Sequence, residues 1–327
     1  MIGFIKTFLS VILTVLNVFT SFIWGDYTGK FMPLDSDSCK LNFAAISDIH
    51  MQDDGIRAFM LGFGLEDMQN ADEELDALVC TGDLTNHGYA DEWEALVGAF
   101  EGYTPAKNII LAQGNHDTWT EDDKYDLARE YFIKYTEEIT GRKIENEYYS
   151  TKVNGYTFIV LASEYDHTDM YISEEQLEWL EAEMAKAAAD GLPVFVISHW
   201  PINQTHGLPE SWGDEEYEPD EGGMGDQSDA VEAILKQYDN VFLLSGHIHL
   251  GFRNEGQLTK YDYLNVESDG SFHSVNLPTY MYTNIDGRVA NGTGFQFEVY
   301  DDRVEIRGRS YSASVWYTDY SYTIPLV

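Results

Sequence analysis

The chain has 327 residues, 44% of them hydrophobic, and its 57 acidic against 19 basic side chains give a formal charge of −38. A chain of that length and apolar content buries a substantial core, which excludes a disordered or fibrous class. A field of that sign opposes polyanions, which disfavours a nucleic-acid polymer as partner, and two cysteines make no disulfide framework.

Taken in order, residues 7–24 carry no charge, follow Lys6 and precede Asp26. That pattern predicts a targeting segment with the body of the chain outside the membrane, and it leaves two readings, a signal peptide or an anchor, over 1–25. Export, secreted or held at the outer face of the membrane through 7–24, is the resulting expectation. The rest, 40–327, reads as one domain, with a core at 41–250 and C-terminal strands at 251–327 that complete a second sheet.

From residue 41 apolar runs alternate with amphipathic stretches. Helices are predicted over Gly55 to Asp76, Tyr89 to Phe100, Glu121 to Glu138, Ser173 to about Ala189 and Ser228 to Tyr238. Ser173-Glu174-Glu175-Gln176 has the capping-box pattern. Asn154-Gly155 between two β-rich runs signals a hairpin. Alternation of this kind implies an α/β fold with largely parallel strands, and the short strands after residue 250 make the second sheet mixed. A four-layer α/β/β/α sandwich of two mixed β-sheets flanked by helices is the expected architecture.

Five apolar runs break off into Asp, His or Asn. Leu41–Ser47 leads into Asp48-Ile49-His50, Ala77–Cys80 into Gly82-Asp83, and Asn108–Ala112 into Gly114-Asn115-His116-Asp117. Pro193–Ile197 leads into His199, and Val241–Ser245 into Gly246-His247-Ile248-His249. Ligands of open α/β sheets gather at the carboxyl ends of strands, so the five ends point to one shared site. Extended backbone at His247 and His249 would place both rings on one side. Carboxylate, amide and imidazole from Asp48, His50, Asp83, Asn115, His199, His247 and His249 suit Mn, Fe, Zn or Ni. Seven side chains are too many for one ion, and a carboxylate such as Asp83 can bridge two ions about 3.5–4 Å apart.

These blocks, in this order, resemble the calcineurin-like metallophosphoesterase superfamily over 41–250, with the cyclic-nucleotide phosphodiesterase and purple acid phosphatase branches most similar. The resemblance implies a metallo-dependent phosphatase fold with two divalent or trivalent metal ions. Asp48, His50, Asp83 and His249 would hold one ion, and Asp83, Asn115, His199 and His247 the other. His116 would face the substrate and stabilise or protonate the leaving oxygen, with Asp117 holding its ring. The implied activity is hydrolysis of a small phosphodiester or phosphomonoester by a metal-bridging hydroxide. Leu84-Thr85-Asn86 after Asp83 offers no tyrosine ligand, which departs from the chromogenic members.

Around this core, Asn86 and His87 are candidate substrate contacts, and His206 and His273 are open as further ones. Residues 203–230 hold nine acidic side chains and no Lys or Arg. This loop leaves just after His199, and as a lid it would stack Trp212 and Tyr217 on a flat leaving group. Rival readings are a nuclease or pyrophosphatase of the same superfamily, and a non-catalytic metal-stabilised module at the cell surface.

Overall fold

A computed structural model describes residues 28–29, 35, 38–120, 124–164, 170–212, 221–253, 261–285, 287, 290 and 292–327. The expected targeting segment at 7–24 and Tyr217 lie outside the described residues. Among the described residues no helix is long and apolar enough to cross a membrane.

Two mixed sheets face one another. One has the order β1 (Thr28–Gly29), β13 (Val315–Pro325), β12 (Arg303–Ser310), β11 (Thr293–Val299), β2 (Leu41–Ile46), β3 (Ala77–Cys80) and β4 (Ile109–Leu111). The other runs β5 (Tyr149–Val153), β6 (Tyr156–Val160), β7 (Val194–Ile197), β8 (Val241–Ser245), β10 (Phe272–Asn276) and β9 (Val266–Asp269). Strands β2, β3 and β4 are parallel, as are β6, β7, β8 and β10.

Period-2 geometry sorts each strand between two cores. Leu41, Phe43 and Ala45 point between the sheets, where they meet Phe158, Phe195, Phe242, Phe295 and Phe297. The Phe43 ring stacks on Phe297 with centroids 4.6 Å apart and meets Phe195 edge-on at 5.0 Å. The alternate residues Ala44 and Ile46 pack outward with Trp93, Phe132 and Tyr135, on the side covered by helices Ile56–Gln69, Ala90–Phe100 and Tyr125–Thr140. Helices Glu174–Ala188 and Ser228–Leu235 cover the outer face of the second sheet. The result is the four-layer α/β/β/α sandwich.

Two local predictions are refined. Asn154 and Gly155 take φ of 51° and 91°, as the turn joining β5 to β6 requires. Ser173 Oγ accepts from Gln176 N at 3.1 Å, but the Gln176 side chain turns to the Ala162 backbone and Glu164, and Glu164 instead accepts from Ser173 N at 2.7 Å. Two expectations are corrected. The strands after residue 250 do not all complete the second sheet: β9 and β10 join it, while β11, β12 and β13 extend the first, with β11 antiparallel to β2. The helical stretch expected to reach Asp76 ends at Gln69.

An ion pair ties this first sheet to the helix Ile56–Gln69 on its outer face. Arg309 on β12 makes a forked contact with Asp67 at 2.7–2.9 Å, and the two side chains are only 13% and 11% exposed. Arg309→Ala leaves that carboxylate buried without its partner. It is expected to destabilise the fold by about 3 kcal/mol in urea titrations.

Candidate metal centre

The carboxyl ends of β2, β3 and β4 and of β7 and β8 meet at one edge of the sandwich. There the chain leaves each strand abruptly. Asp48, His50, Asp83, His247 and His249 all have positive φ, between 45° and 71°. Non-glycine residues hold that conformation at a cost on the order of 1 kcal/mol or more each, and such strain clusters at functional sites. The backbone also comes very close to the ligand side chains. A Cβ on Gly114 would stand 2.2 Å from Asp83 Oδ1, and one on Gly246 1.8 Å from Ser47 Oγ and 2.8 Å from Asp48 Oδ2.

Left-handed backbone at both residues of the terminal His-x-His corrects the expectation that their rings lie on one side. They part into two halves of a single cluster. His249 Nε2 lies 3.0 Å from His50 Nε2 and 3.4 Å from Asp48 Oδ1, and these donors with Asp83 all fall within 4.8 Å of one another. His247 Nδ1 instead lies 2.9 Å from Asn115 Oδ1, and its ring centroid is 5.1 Å from that of His199. Asp83 Oδ2 joins the halves, 3.6 Å from His50 Nε2 and 3.2 Å from His199 Nε2.

The donor chemistry of this cluster fits cations. His199 Nδ1 donates to Thr81 O at 3.1 Å, which turns Nε2 toward the cluster. Among the described residues Asp48 Oδ2 and His50 Nδ1 are buried without a hydrogen-bond partner, and His199 Nε2 has only Asp83 Oδ2, at 3.2 Å, beside it. Carboxylate oxygens and ring nitrogens crowded this closely away from water are costly unless a proton or a positive ion stands between them. The mixed nitrogen and oxygen set suits first-row transition ions.

Electrostatics prepare most of the set in ligand form. Burial pushes the His50 pKa down to about 3 and that of His247 well below the usual value, so both rings are neutral. Burial raises the Asp48 carboxyl, but the hydrogen bond and charge of His249 outweigh it and bring the pKa to about 2. His199 is the exception. Burial lowers it, yet the Asp83 and Asp48 carboxylates prevail and raise it to about 9. A metal must therefore displace a proton from His199 at neutral pH. Metal affinity is expected to rise about tenfold per pH unit from pH 6 toward 9, with about one proton released per chain. Calorimetry in buffers of differing ionisation enthalpy measures both.

His116 sits outside the donor set but beside it. Its backbone N donates to Asp83 Oδ1 at 2.9 Å, its Nδ1 donates to Asn86 O at 2.7 Å, and its ring lies 4.5 Å from that of His50. The role expected of Asp117 is corrected. Its buried carboxylate does not hold the His116 ring. It accepts from Leu84 N, Thr85 N, Thr85 Oγ1 and Gly114 N at 2.7–3.1 Å, lacing the loop after β3 to the loop after β4. Asn86 supports His116 through its carbonyl oxygen.

The remaining candidates divide. His87 Nδ1 lies 3.0 Å from Glu92 Oε1 and its ring stacks on Tyr89. Trp212 stacks on His247 at 4.6 Å, and Gly222, from the returning limb of the acidic loop, would place a Cβ 3.1 Å from that indole. His206 is fully buried, with Nδ1 donating to Leu264 O and Nε2 2.8 Å from Ser274 Oγ, so it anchors the loop. His273 does not border the cluster: it lies at the start of β10, against Phe242, at the end of the sheet away from the site. Sequence reasoning missed Trp119, 4.1 Å from His116, and Tyr282, 4.7 and 4.6 Å from His50 and His249. Trp119 was findable three residues after His116. Tyr282 lies in the loop after β10 with no motif around it.

Residues 41–251 match the family described as Calcineurin-like phosphoesterase. A probable cyclic nucleotide phosphodiesterase of Rhodococcus erythropolis is 29% identical over 177 residues, 53% of this chain and 51% of that protein. Purple acid phosphatase 22 of Arabidopsis thaliana is 25% identical over 189 residues, 54% of this chain and 38% of that one. The chain spans about half the length of the curated relatives it matches. Among solved structures, a dimetal phosphatase from Danio rerio superposes with a TM-score of 0.57 at 13% identity, covering 88% of this chain and 100% of that one. A purple acid phosphatase from yellow lupin seeds superposes with a TM-score of 0.55 at 15% identity, covering 87% and 53%. At these identities the structural likeness speaks for the fold.

Proposed function

The chain belongs to the calcineurin-like phosphoesterase family, and from that premise we propose that it is a dinuclear-metal-dependent hydrolase of a small phosphodiester or phosphomonoester. One observation carries the reading: two halves of a buried, lone-pair-rich cluster share the single carboxylate of Asp83. In this reading Asp48, His50, Asp83 and His249 hold one ion and Asp83, Asn115, His199 and His247 the other, drawn from Mn, Fe, Zn and Ni. When bound, such a pair lowers the pKa of water and neutralises charge on a phosphoryl group.

The chain's own residues do the rest. With Nδ1 committed to Asn86 O, His116 presents Nε2 to the substrate, where it gives a proton to the departing oxygen. Asp117 keeps the loops bearing Asp83 and Asn115 in fixed relation through its backbone bonds. Trp212 screens the His247 side of the pocket from water. The acidic exterior argues for a small ester over a polyanion. The uncharged stretch at 7–24 supports export of the chain.

The test is hydrolysis of chromogenic phosphodiesters and phosphomonoesters by the full chain reconstituted with Mn²⁺. Turnover that disappears on chelation and returns with metal is the expected result. Two bound ions with no turnover of any ester, cyclic nucleotide or pyrophosphate would instead leave a metal-stabilised interaction module.

A further inference from the structure

We propose that Arg57 is a substrate-binding residue that grips an anionic oxygen of the phosphoryl group, with Tyr282 as the surface that holds its guanidinium in place. The proposal rests on the hydrolase reading above and adds to it a preference for the dianionic phosphomonoester.

The first observation is where Arg57 stands in the chain. It lies in the first turn of the helix Ile56–Gln69, a turn that carries no acidic residue. A cation there opposes the helix dipole, so local stability does not account for it. Asp54 Oδ1 accepts from Ile56 N at 2.8 Å and from Arg57 N at 3.3 Å, which sets the start of the helix directly after the His50 loop.

The second is the company it keeps. Of the described arginines, Arg129, Arg253, Arg303, Arg307 and Arg309 each pair with a carboxylate, and Arg57 and Arg142 do not. Among the described residues Arg57 has no carboxylate within ion-pair distance, in a chain with 57 acidic and 19 basic side chains. Burial lowers its pKa, with Asp54, Tyr282 and Glu92 acting only at a distance against that shift. One N–H donates to His50 O, and among the described residues its side chain makes no other hydrogen bond. A guanidinium has five N–H donors in a fork suited to phosphate.

The third is its position. The guanidinium carbon lies 5.8 Å from the centroid of the Tyr282 ring, and that ring, in a residue 39% exposed, lies against both His50 and His249. Arg57 thus borders the first half of the donor set at its solvent-facing side. A fixed cation there acts more strongly on the doubly charged monoester than on the singly charged diester.

Mn²⁺-loaded full chain is titrated with inorganic phosphate by calorimetry, as wild type, Arg57→Ala, Arg57→Lys and Tyr282→Ala, with bound metal counted in each. Loss of a charge-assisted contact predicts phosphate affinity about 10- to 100-fold weaker in Arg57→Ala, with metal content unchanged. Arg57→Lys should recover part of the loss, and Tyr282→Ala should weaken binding less than Arg57→Ala. In turnover, KM for a monoester should rise more than KM for a diester. Unchanged phosphate affinity in Arg57→Ala overturns the proposal. So does loss of metal in both Arg57 variants, which would make Arg57 a positioning residue for the His50 backbone. If the wild type binds phosphate through Arg57 but hydrolyses no ester, the hydrolase reading fails and the anion site stands.

Discussion

Asp83→Ala is expected to lose bound metal and turnover together, the latter by on the order of 10⁴-fold or more, the scale seen when a member of a catalytic group acting as a unit is removed. The reason lies in what one carboxylate does. Oδ2 faces His50 and His199 in the two halves of the cluster, while Oδ1 accepts the backbone N–H of His116. Its loss separates the halves and frees the loop that carries His116. It also removes the foremost charge that raises the His199 pKa, so burial should then pull that pKa down. Asp83→Asn separates the two jobs. Its amide oxygen can still accept from His116 N, but the negative charge is gone, so metal should be lost while the loop stays folded. Metal content by mass spectrometry and turnover by chromogenic ester give both readouts. An Asp83→Ala protein that retained two ions would remove the basis for the dinuclear reading.

His116→Ala has the opposite signature. Metal content should be unchanged, because the ring is not in the donor set and the backbone N–H that bonds Asp83 is present in alanine. Turnover should fall by roughly 10²–10⁴-fold, the usual contribution of a positioned acid. The deficit should shrink for esters with good leaving groups, which need no proton, and stay large for alkyl esters. Full activity in this variant would refute the assignment. Asp117→Asn discriminates further. Had Asp117 held the imidazole, its loss would mimic His116→Ala. With its carboxylate instead accepting from two loops, the amide cannot serve all the donors, and metal binding and stability should suffer along with turnover.

What could be read directly from the amino acids was the set of groups and where they stand on the strands. An apolar run breaking into Asp, His or Asn is a local pattern, and strands of parallel sheets carry such residues at their carboxyl ends whatever their partners. The Asn154-Gly155 turn and the Ser173 helix start were legible for the same reason: their hydrogen bonds close within a few residues. The outcome for Asp117 shows where that reading stops. From Asn115-His116-Asp117 alone the neighbouring ring is the obvious partner, yet the carboxylate bonds backbone more than thirty positions upstream.

Tertiary structure alone decided which sheet each C-terminal strand joined, since alternation tells which face of a strand is covered and not which neighbour lies beyond its edge. It likewise split His247 from His249, through a backbone twist that residue types do not encode. And it set Arg57 and Tyr282, 225 positions apart, on one lip of the site. Contacts closed across such spans depend on how whole sheets pack, and that packing leaves no mark in the residues on either side of each partner.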